Sequence, residues 1–467
     1  MSSSRVVPSL RRAAVAALCA ASALRAQAPR AGSDTVRLTL DEALTRADRV
    51  STDVLVATDS MRVSSARILE AYGAFLPAAS TGAYALQAQG NTLLASTALQ
   101  PSQVGWYASA FQVSTALNIF NGFRDRAFLK SSRFLNDAAG FTLEQARQRI
   151  TFDVLQSYFQ VVLDHELVDV AAANLELSRA RQSRLEGQVQ IGTRSPPDLF
   201  RQRAQTATDE ATVIDVQARE QTDLVGLLRR IRLEATREYA IDVPPLDTVA
   251  LPADSLDRAK LTARALAYRP DLLAAQSRAS AADANIARAT GAYLPQVVAG
   301  ASFGVFARNY EWERQNGANL LTQDQRAMGT QLGSQPMGIF TIGVVWPLFD
   351  QFQTRFDVER ARVASRIGTL AAEDARLQVL GDVRQATDEY RAAVEKLRAT
   401  DTGLASAQEA FDAVSARFDV GLGIFLDVEA AQTALTDARA QKAAAAVNLV
   451  LRRQVLRYVT GTRLVTP

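Results

Sequence analysis

The residues able to do chemistry are few and poorly spaced for it. His165 is the single histidine of the 467-residue chain and Cys19 its single cysteine. Asp164 and Glu166 flank His165, but adjacent residues on a helix do not face one another, so the trio offers no converging ligand set. A phosphate-cradling Gly-Lys-Ser/Thr loop and a His-Glu-x-x-His pair are absent, and no serine is set in a nucleophile elbow. These patterns predict no enzyme, no cofactor and no metal. Two acidic positions open helices. Asp198 lies in Ser195-Pro196-Pro197-Asp198, which matches a capping box with proline in the first turn. Asp427, with Glu429 beyond it, follows Gly421-Leu422-Gly423, where a carboxylate suits the helix dipole. Charged residues are 22% and the net charge is +3, so no nucleic-acid partner is indicated.

The elements that carry these positions are long. Residues 351–420 contain no proline, and large apolar side chains recur every seventh position: Val383, Tyr390, Leu397, Leu404, Phe411 and Phe418. Three residues after them come small or slim ones, Ala386, Ala393, Thr400, Ala407 and Val414. A sustained heptad predicts a helical rod that packs against partner rods. One constant offset maps the large positions onto Val154, Val161, Val168, Leu175, Gln182 and Val189, and maps Phe418-Asp419-Val420-Gly421 onto Val189-Gln190-Ile191-Gly192. The chain is a tandem duplication. After each glycine turn a shorter helix returns, over residues 195–237 and from 424 to 459.

Each half opens with a helix that stops at Leu-Pro, Leu76-Pro77 and Leu294-Pro295; the first begins at Leu38-Thr39-Leu40-Asp41-Glu42, with Thr39 or Asp41 as cap. The texture then changes to period two. Val297, Ala299, Ala301, Phe303 and Val305 face one way, while Val298, Gly300, Ser302, Gly304 and Phe306 face the other. Phe340, Ile342, Val344 and Trp346 alternate likewise, as do Tyr107, Phe111, Val113, Thr115 and Leu117, and more weakly residues 79–88. Such stretches of about 10 residues suit tilted membrane strands. Polar loops, residues 89–105 and 308–336, join the strands of each pair. Trp106 and Tyr107 are expected where the second strand starts, at the outer membrane face. Trp346 and Phe349 are expected at the end of the fourth, at the periplasmic face. Together they suit two aromatic girdles.

Residues 1–26 read as a secretory signal: Arg5, Arg11 and Arg12 precede an apolar core that contains Cys19, so the mature chain has no thiol. The expected organisation is a first repeat over 27–237, a linker over 238–256 with Pro244, Pro245 and Pro252, and a second repeat over 257–467. Four strands cannot close a barrel, and open edges are not tolerated in lipid, so several chains must pool strands and rods.

Tyr268-Arg269-Pro270-Asp271-Leu272, Tyr293-Leu294-Pro295, Trp346-Pro347-Leu348-Phe349-Asp350 and Phe418-Asp419-Val420-Gly421 followed by Asp427-Val428, in this order within a duplicated chain, resemble the TolC family of outer-membrane efflux and secretion ducts. The resemblance runs from Leu38 to Gly461. It implies a mainly α fold, with a long α-helical barrel continuous with a 12-stranded barrel pooled from three chains. It also implies a homotrimer in outer-membrane lipid with a long periplasmic extension, serving a periplasmic adaptor and an inner-membrane pump. The family closes its periplasmic mouth with acidic residues where the second returning helix starts. Asp427 matches; the next acidic position is Ala430 here, and Glu429 stands beside it, while Asp198 is the first-half counterpart. The turns at Gly192-Thr193 and Gly421-Leu422-Gly423 are where an adaptor would touch, and where the rods would move to open. Drug or metal efflux and type I protein secretion fit equally. The other reading of the rods is a soluble periplasmic coiled-coil adaptor or scaffold.

Overall fold

The computed structural model describes residues 36–95, 99–246, 248–315, 318–319, 327–334 and 336–462. The expected signal segment and part of the second long loop lie outside them. The described residues form two compact units, one of 36–46 with 157–245 and one drawn from 47–156 and 246–462.

In the first unit, strand β1 (Val36–Leu38) pairs in parallel with β4 (Tyr239–Ile241). Helix α1 (Leu40–Val50) begins on a full capping box. The Glu42 amide donates to Thr39 Oγ1 at 3.3 Å, and the Thr39 amide donates to Glu42 Oε2 at 3.2 Å, so Thr39 is the cap. Two long helices follow in sequence order, α3 (Arg124–Gln190), of which this unit holds the C-terminal part, and α4 (Pro196–Arg230). They run antiparallel: His165 meets Glu220 at 2.8 Å, Arg179 meets Glu210 at 2.7 Å and Arg203 meets Glu186 at 3.0 Å. Buried Tyr158 on α3 donates to the Leu38 carbonyl at 3.1 Å and lies against that of Asp242, joining the helix to both short strands. Burial, with the Asp242 charge, pushes its hydroxyl pKa up to about 12.

The second unit holds α2 (Thr52–Gly73), strands β2 (Ala78–Ala95) and β3 (Leu99–Phe120), and the start of α3. It continues with α5 (Arg258–Tyr268), α6 (Pro270–Thr290), β5 (Gln296–Gln315), β6 (Ala318–Asn319), α7 (Met328–Ser334), β7 (Pro336–Val345), α8 (Gln353–Asp419) and α9 (Phe425–Val459). The order helix, two strands, long helix, returning helix occurs twice. The long helices have 67 residues each and the returning helices 35 each. At about 1.5 Å per residue a 67-residue helix spans roughly 100 Å. The strands form one antiparallel sheet in the order β2-β3-β5-β7, with β6 a short continuation beside β5.

The heptad positions bury as expected: Val383, Tyr390, Phe411 and Phe418 on α8, and Val154, Val161 and Leu175 on α3. A core of Leu272, Val379, Val383, Tyr390, Leu449 and Leu456 joins α6, α8 and α9. Each such side chain contributes roughly 1.5–3 kcal/mol by leaving water. The inter-repeat segment lies on this core: the Leu251 amide donates to the Tyr390 hydroxyl at 2.8 Å, and Arg453 donates to the Val249 carbonyl.

The structure corrects several boundaries. The opening helix is two helices, because the chain leaves helical geometry at Ser51, with φ −61° and ψ 131°. The strands exceed the expected ten residues: β2 has 18, β3 has 22 and β5 has 20. The first polar loop is mostly a paired hairpin, continued to Ala95↔Leu99, and Trp106 and Tyr107 lie inside β3 rather than at its start. Backbone ladder bonds need no apolar side chain, so pairing outruns the alternation that marks burial. Residues 239–241 of the expected linker form β4.

Candidate channel wall and helix tips

Strand register sorts the sheet into two faces. Phe111 pairs with Val305, Val113 with Phe303, and Leu117 with Ala299, which in turn pairs with Ile342; this face is predominantly apolar, with Thr81, Ser109 and Thr115 among its residues. The opposite face carries Ser80, Ser114 and Ser302 in one row, with Gln112 opposite Gly304 and Gly82 in the next. The Ser80 and Ser114 hydroxyls bond at 2.8 Å. Phe340 on the apolar face is 72% exposed and Val344 67%, and β2 and β7 each leave one edge unpaired among the described residues. The opposite face also holds Tyr84, Leu86, Phe306 and Ile339, so the contrast lies in its middle rows, where serine, glycine and Gln112 gather; a sheet with one predominantly apolar face and a polar stretch on the other suits the wall of a water-filled membrane barrel. Gly300-Ala301-Ser302-Phe303-Gly304 spells a G-x-S-x-G pattern, but Ser302 is paired on both sides in mid-strand, opposite Ser114 and Ile339, and not on a strand-to-helix turn.

Trp106 is half-buried, with the Arg308 guanidinium 5.7 Å above its ring, and Tyr107 accepts a bond from Gln87 at 3.2 Å. Trp346 donates from Nε1 to the Tyr293 carbonyl at 3.0 Å, and exposed Phe349 meets Phe352 edge-on at 5.6 Å. The entry into each long helix uses two consecutive left-handed residues, Gly122-Phe123 and Gln351-Phe352. The Asp125 amide donates to Asn121 Oδ1 at 3.4 Å, and the Thr354 amide to Asp350 Oδ2 at 2.8 Å. Hydrogen bonds from Thr354 hold the Asp350 carboxyl below its ordinary pKa. The sequence marks residues 118–122 and 347–351 as leads from strand into rod; the pair of left-handed residues is what the structure adds.

Both glycine turns are Schellman caps. Gly192 has φ +78°, its amide donates to Val189 O, and the Thr193 amide donates to Gln188 O at 2.9 Å. Gly421 has φ +83°, its amide donates to Phe418 O, and the Leu422 amide donates to Arg417 O at 2.9 Å. Gly423 serves differently: a Cβ there would lie 3.2 Å from the Phe418 nitrogen. Asp427 occupies the first turn of α9 and is exposed, and Glu429 is half-buried. Asp198 lies in the first turn of α4, where Ser195 makes no side-chain cap bond, so the expected capping box does not form. Two prolines lead that helix, and they remove two of the amides a cap would serve.

Sequence reasoning overlooked the apolar character of the tips. Val420, Leu422, Ile424 and Leu426 are each at least 60% exposed at one turn, as are Ile191 and Phe200 near the other. The signal was present: an apolar residue at every second position through a glycine turn. It also overlooked Arg269, whose side chain is 10% exposed and reaches Asp271 at 2.9 Å and Asp382 at 2.6 Å, joining α6 to α8. Burial works against its charge, but the two carboxylates win and raise its pKa. His165 Nδ1 lies 2.8 Å from Glu220 Oε1, within hydrogen-bond distance, and no cluster fit for a metal occurs among the described residues. No described helix is long and apolar enough to cross a membrane.

The sequence profile of the outer membrane efflux protein family matches residues 261–462. The chain is 24% identical over 411 residues to the pyoverdine export outer membrane protein OpmQ of Pseudomonas putida, spanning 86% of this chain and 82% of that protein. It is 23% identical over 356 residues to the outer membrane protein TolC of Escherichia coli, spanning 75% of this chain and 69% of that protein. The crystal structure of the outer membrane protein VceC of Vibrio cholerae shares the fold with a TM-score of 0.76 at 16% identity, over 91% of this chain and 96% of that one.

Proposed function

We propose that this chain, a TolC-family outer-membrane channel component with a long periplasmic extension, closes with two further copies of itself into one passive duct. The observation that carries the reading is the two-faced sheet with open edges at β2 and β7. Each chain supplies four long strands, so three chains supply the twelve of the expected barrel, and closure removes the edges that lipid does not tolerate. The apolar face turns to lipid, with Tyr107, Trp346 and Phe349 in the two girdles, while Trp106, one residue from Tyr107, falls on the face of Ser114 and Gln112, which lines the water.

The duct binds no nucleotide and works without catalysis; an inner-membrane pump supplies the energy. The exposed apolar residues beside Gly192-Thr193 and Gly421-Gly423 fit a periplasmic adaptor that covers them. Three copies of Asp427, with Glu429 two residues on, form a cation-attracting ring at the periplasmic mouth, as acidic rings do in other pores, and Asp198 holds the counterpart position in the first repeat. Cargo follows the partner pump, drugs, metals and proteins alike.

The experiment is cell fractionation followed by electrophoresis with and without boiling, then conductance in planar bilayers. A heat-sensitive trimer from the outer membrane, with cation selectivity that Asp427→Asn lowers, is the expected result. A soluble monomer or dimer would replace the duct with a coiled-coil scaffold. Unchanged selectivity in the Asp427→Asn trimer would remove the ring and leave the duct.

A further inference from the structure

Where β3 gives way to α3 and β7 to α8, a cavity of about 560 Å³ opens between the start of α3, the end of α6 and the first turns of α8. Its walls present Arg124, Arg288 and Arg360 against the single carboxylate of Asp357, over a floor of alanines that includes Ala289 and Ala364. Asp357 is taken up by Arg360 at 2.9 Å. Arg288 lies 4.5 Å over the ring of Phe128, and neither it nor Arg124 has a carboxylate partner among the described residues. The frame is tight. A Cβ on Gly291 would lie 2.4 Å from the Gly122 carbonyl oxygen and 2.6 Å from Arg124 Cγ, so two glycines lock the entry of α3 onto the end of α6. A Cβ on Gly368 would lie 3.2 Å from Ala279 Cα, holding α8 equally close to α6.

The level of the cavity identifies its ligand. Exposed aromatics crowd just ahead of it in both repeats: Phe123, Phe352 and Phe356, with the Arg360 guanidinium 5.6 Å from the Phe356 ring. Trp346 is anchored to Tyr293, the residue that follows Ala292 of the cavity wall. Exposed aromatic residues collect at membrane–water boundaries. Arg124 opens α3 four residues past the end of β3, and the exposed aromatics ahead of the cavity mark the boundary, so the guanidinium groups stand on the headgroup side of the strand ends. Arg360 lies two turns into α8, about 10 Å along that helix from Gln353. Guanidinium forks match phosphate oxygens two at a time, and ligand cavities run to roughly 300–1,000 Å³. We propose that this cavity seats the phosphodiester headgroup of an anionic phospholipid from the periplasmic leaflet, and so fixes the depth at which the strands give way to the rods. The proposal rests on the sheet standing in the outer membrane.

The test titrates the purified full-length protein in detergent with short-chain phosphatidylglycerol and, in parallel, with inorganic phosphate, followed by native mass spectrometry. Wild type is expected to hold the lipid and not the inorganic ion at equal concentration. Arg288→Gln with Arg360→Gln is expected to weaken lipid binding at least tenfold. Ala364→Leu, which fills the floor and leaves every charge in place, should do the same and decides the matter if the arginine variant fails to assemble on an unboiled gel. Lipid binding unchanged in these variants overturns the site. Inorganic phosphate bound as tightly as the lipid overturns the lipid and assigns the cavity to a solute anion. Fractionation reports the membrane location separately, so a chain that binds lipid in detergent yet fractionates as soluble would overturn the duct and the leaflet lipid together, whereas an outer-membrane trimer that binds no lipid would overturn the cavity alone.

Discussion

Gly421→Ala isolates the energetics of the second helix tip. A Cβ at this position would meet nothing within 4 Å, so the substitution adds no clash. What it adds is backbone strain, because φ is +83° and an L-residue in left-handed geometry costs about 1–2 kcal/mol. That cost falls on a local turn held by two amide bonds, Gly421 to Phe418 O at 3.0 Å and Leu422 to Arg417 O at 2.9 Å. Local opening need not unfold the protein, so the assay is amide hydrogen exchange over residues 415–424 of the assembled protein. A loss of 1–2 kcal/mol corresponds to roughly 5–30-fold faster exchange at Leu422. Gly192→Ala should act in the same direction but less, since the Thr193 hydroxyl also donates to the Gln188 carbonyl at 3.0 Å. Gly403→Ala is the opposite control: it lies in mid-helix with open space around it, and should stabilise α8 by about 0.5–1 kcal/mol. An exchange rate in Gly421→Ala within twofold of wild type would refute the view that left-handed glycine holds the tip.

Arg269→Met leaves Asp271 and Asp382 without their shared cation in a largely buried place, and should cost roughly 3–5 kcal/mol, with Arg269→Lys intermediate because it keeps the charge and loses the fork; an unchanged thermal midpoint in detergent would show the network to be dispensable. Asp164 on α3 has its pKa raised to about 6, first by burial and then by its hydrogen bond with and the charge of Asp223. The folded state therefore holds this proton more tightly than the unfolded chain, so stability is greatest below the ordinary carboxyl range and falls as pH rises from about 4 to about 6. Asp164→Asn should flatten that slope, and thermal melts of both proteins between pH 4.5 and 7 would expose an error by showing parallel curves.

Heptad spacing from Val383 to Phe418 and its echo from Val154 were legible because a 67-residue helix repeats one local rule many times. Alternation in β5 and β7 was legible for a similar reason: side-chain direction in a strand depends on parity alone. The faces of the sheet could therefore be assigned before any pairing was seen. Strand ends were not legible, because ladder bonds between main chains continue where the side chains no longer alternate, as from Gln89↔Gly105 to Ala95↔Leu99. Nor was the Ser195 cap, since a sequence match to a capping box says nothing of the rotamer the side chain takes.

By itself, then, the sequence determined the repeat, the rods, the alternating strands and the turn glycines, all of which follow from periodicity or residue type along one stretch. Only the tertiary structure decided what depends on residues far apart in the chain. It brought Arg269 to Asp382, made Gly122 and Gly291 mutually obligatory through a backbone contact too close for a Cβ, and gathered Arg124, Arg288 and Arg360 around one cavity. Such contacts arise from packing between helices, and no local rule of spacing encodes which turn of one meets which turn of another.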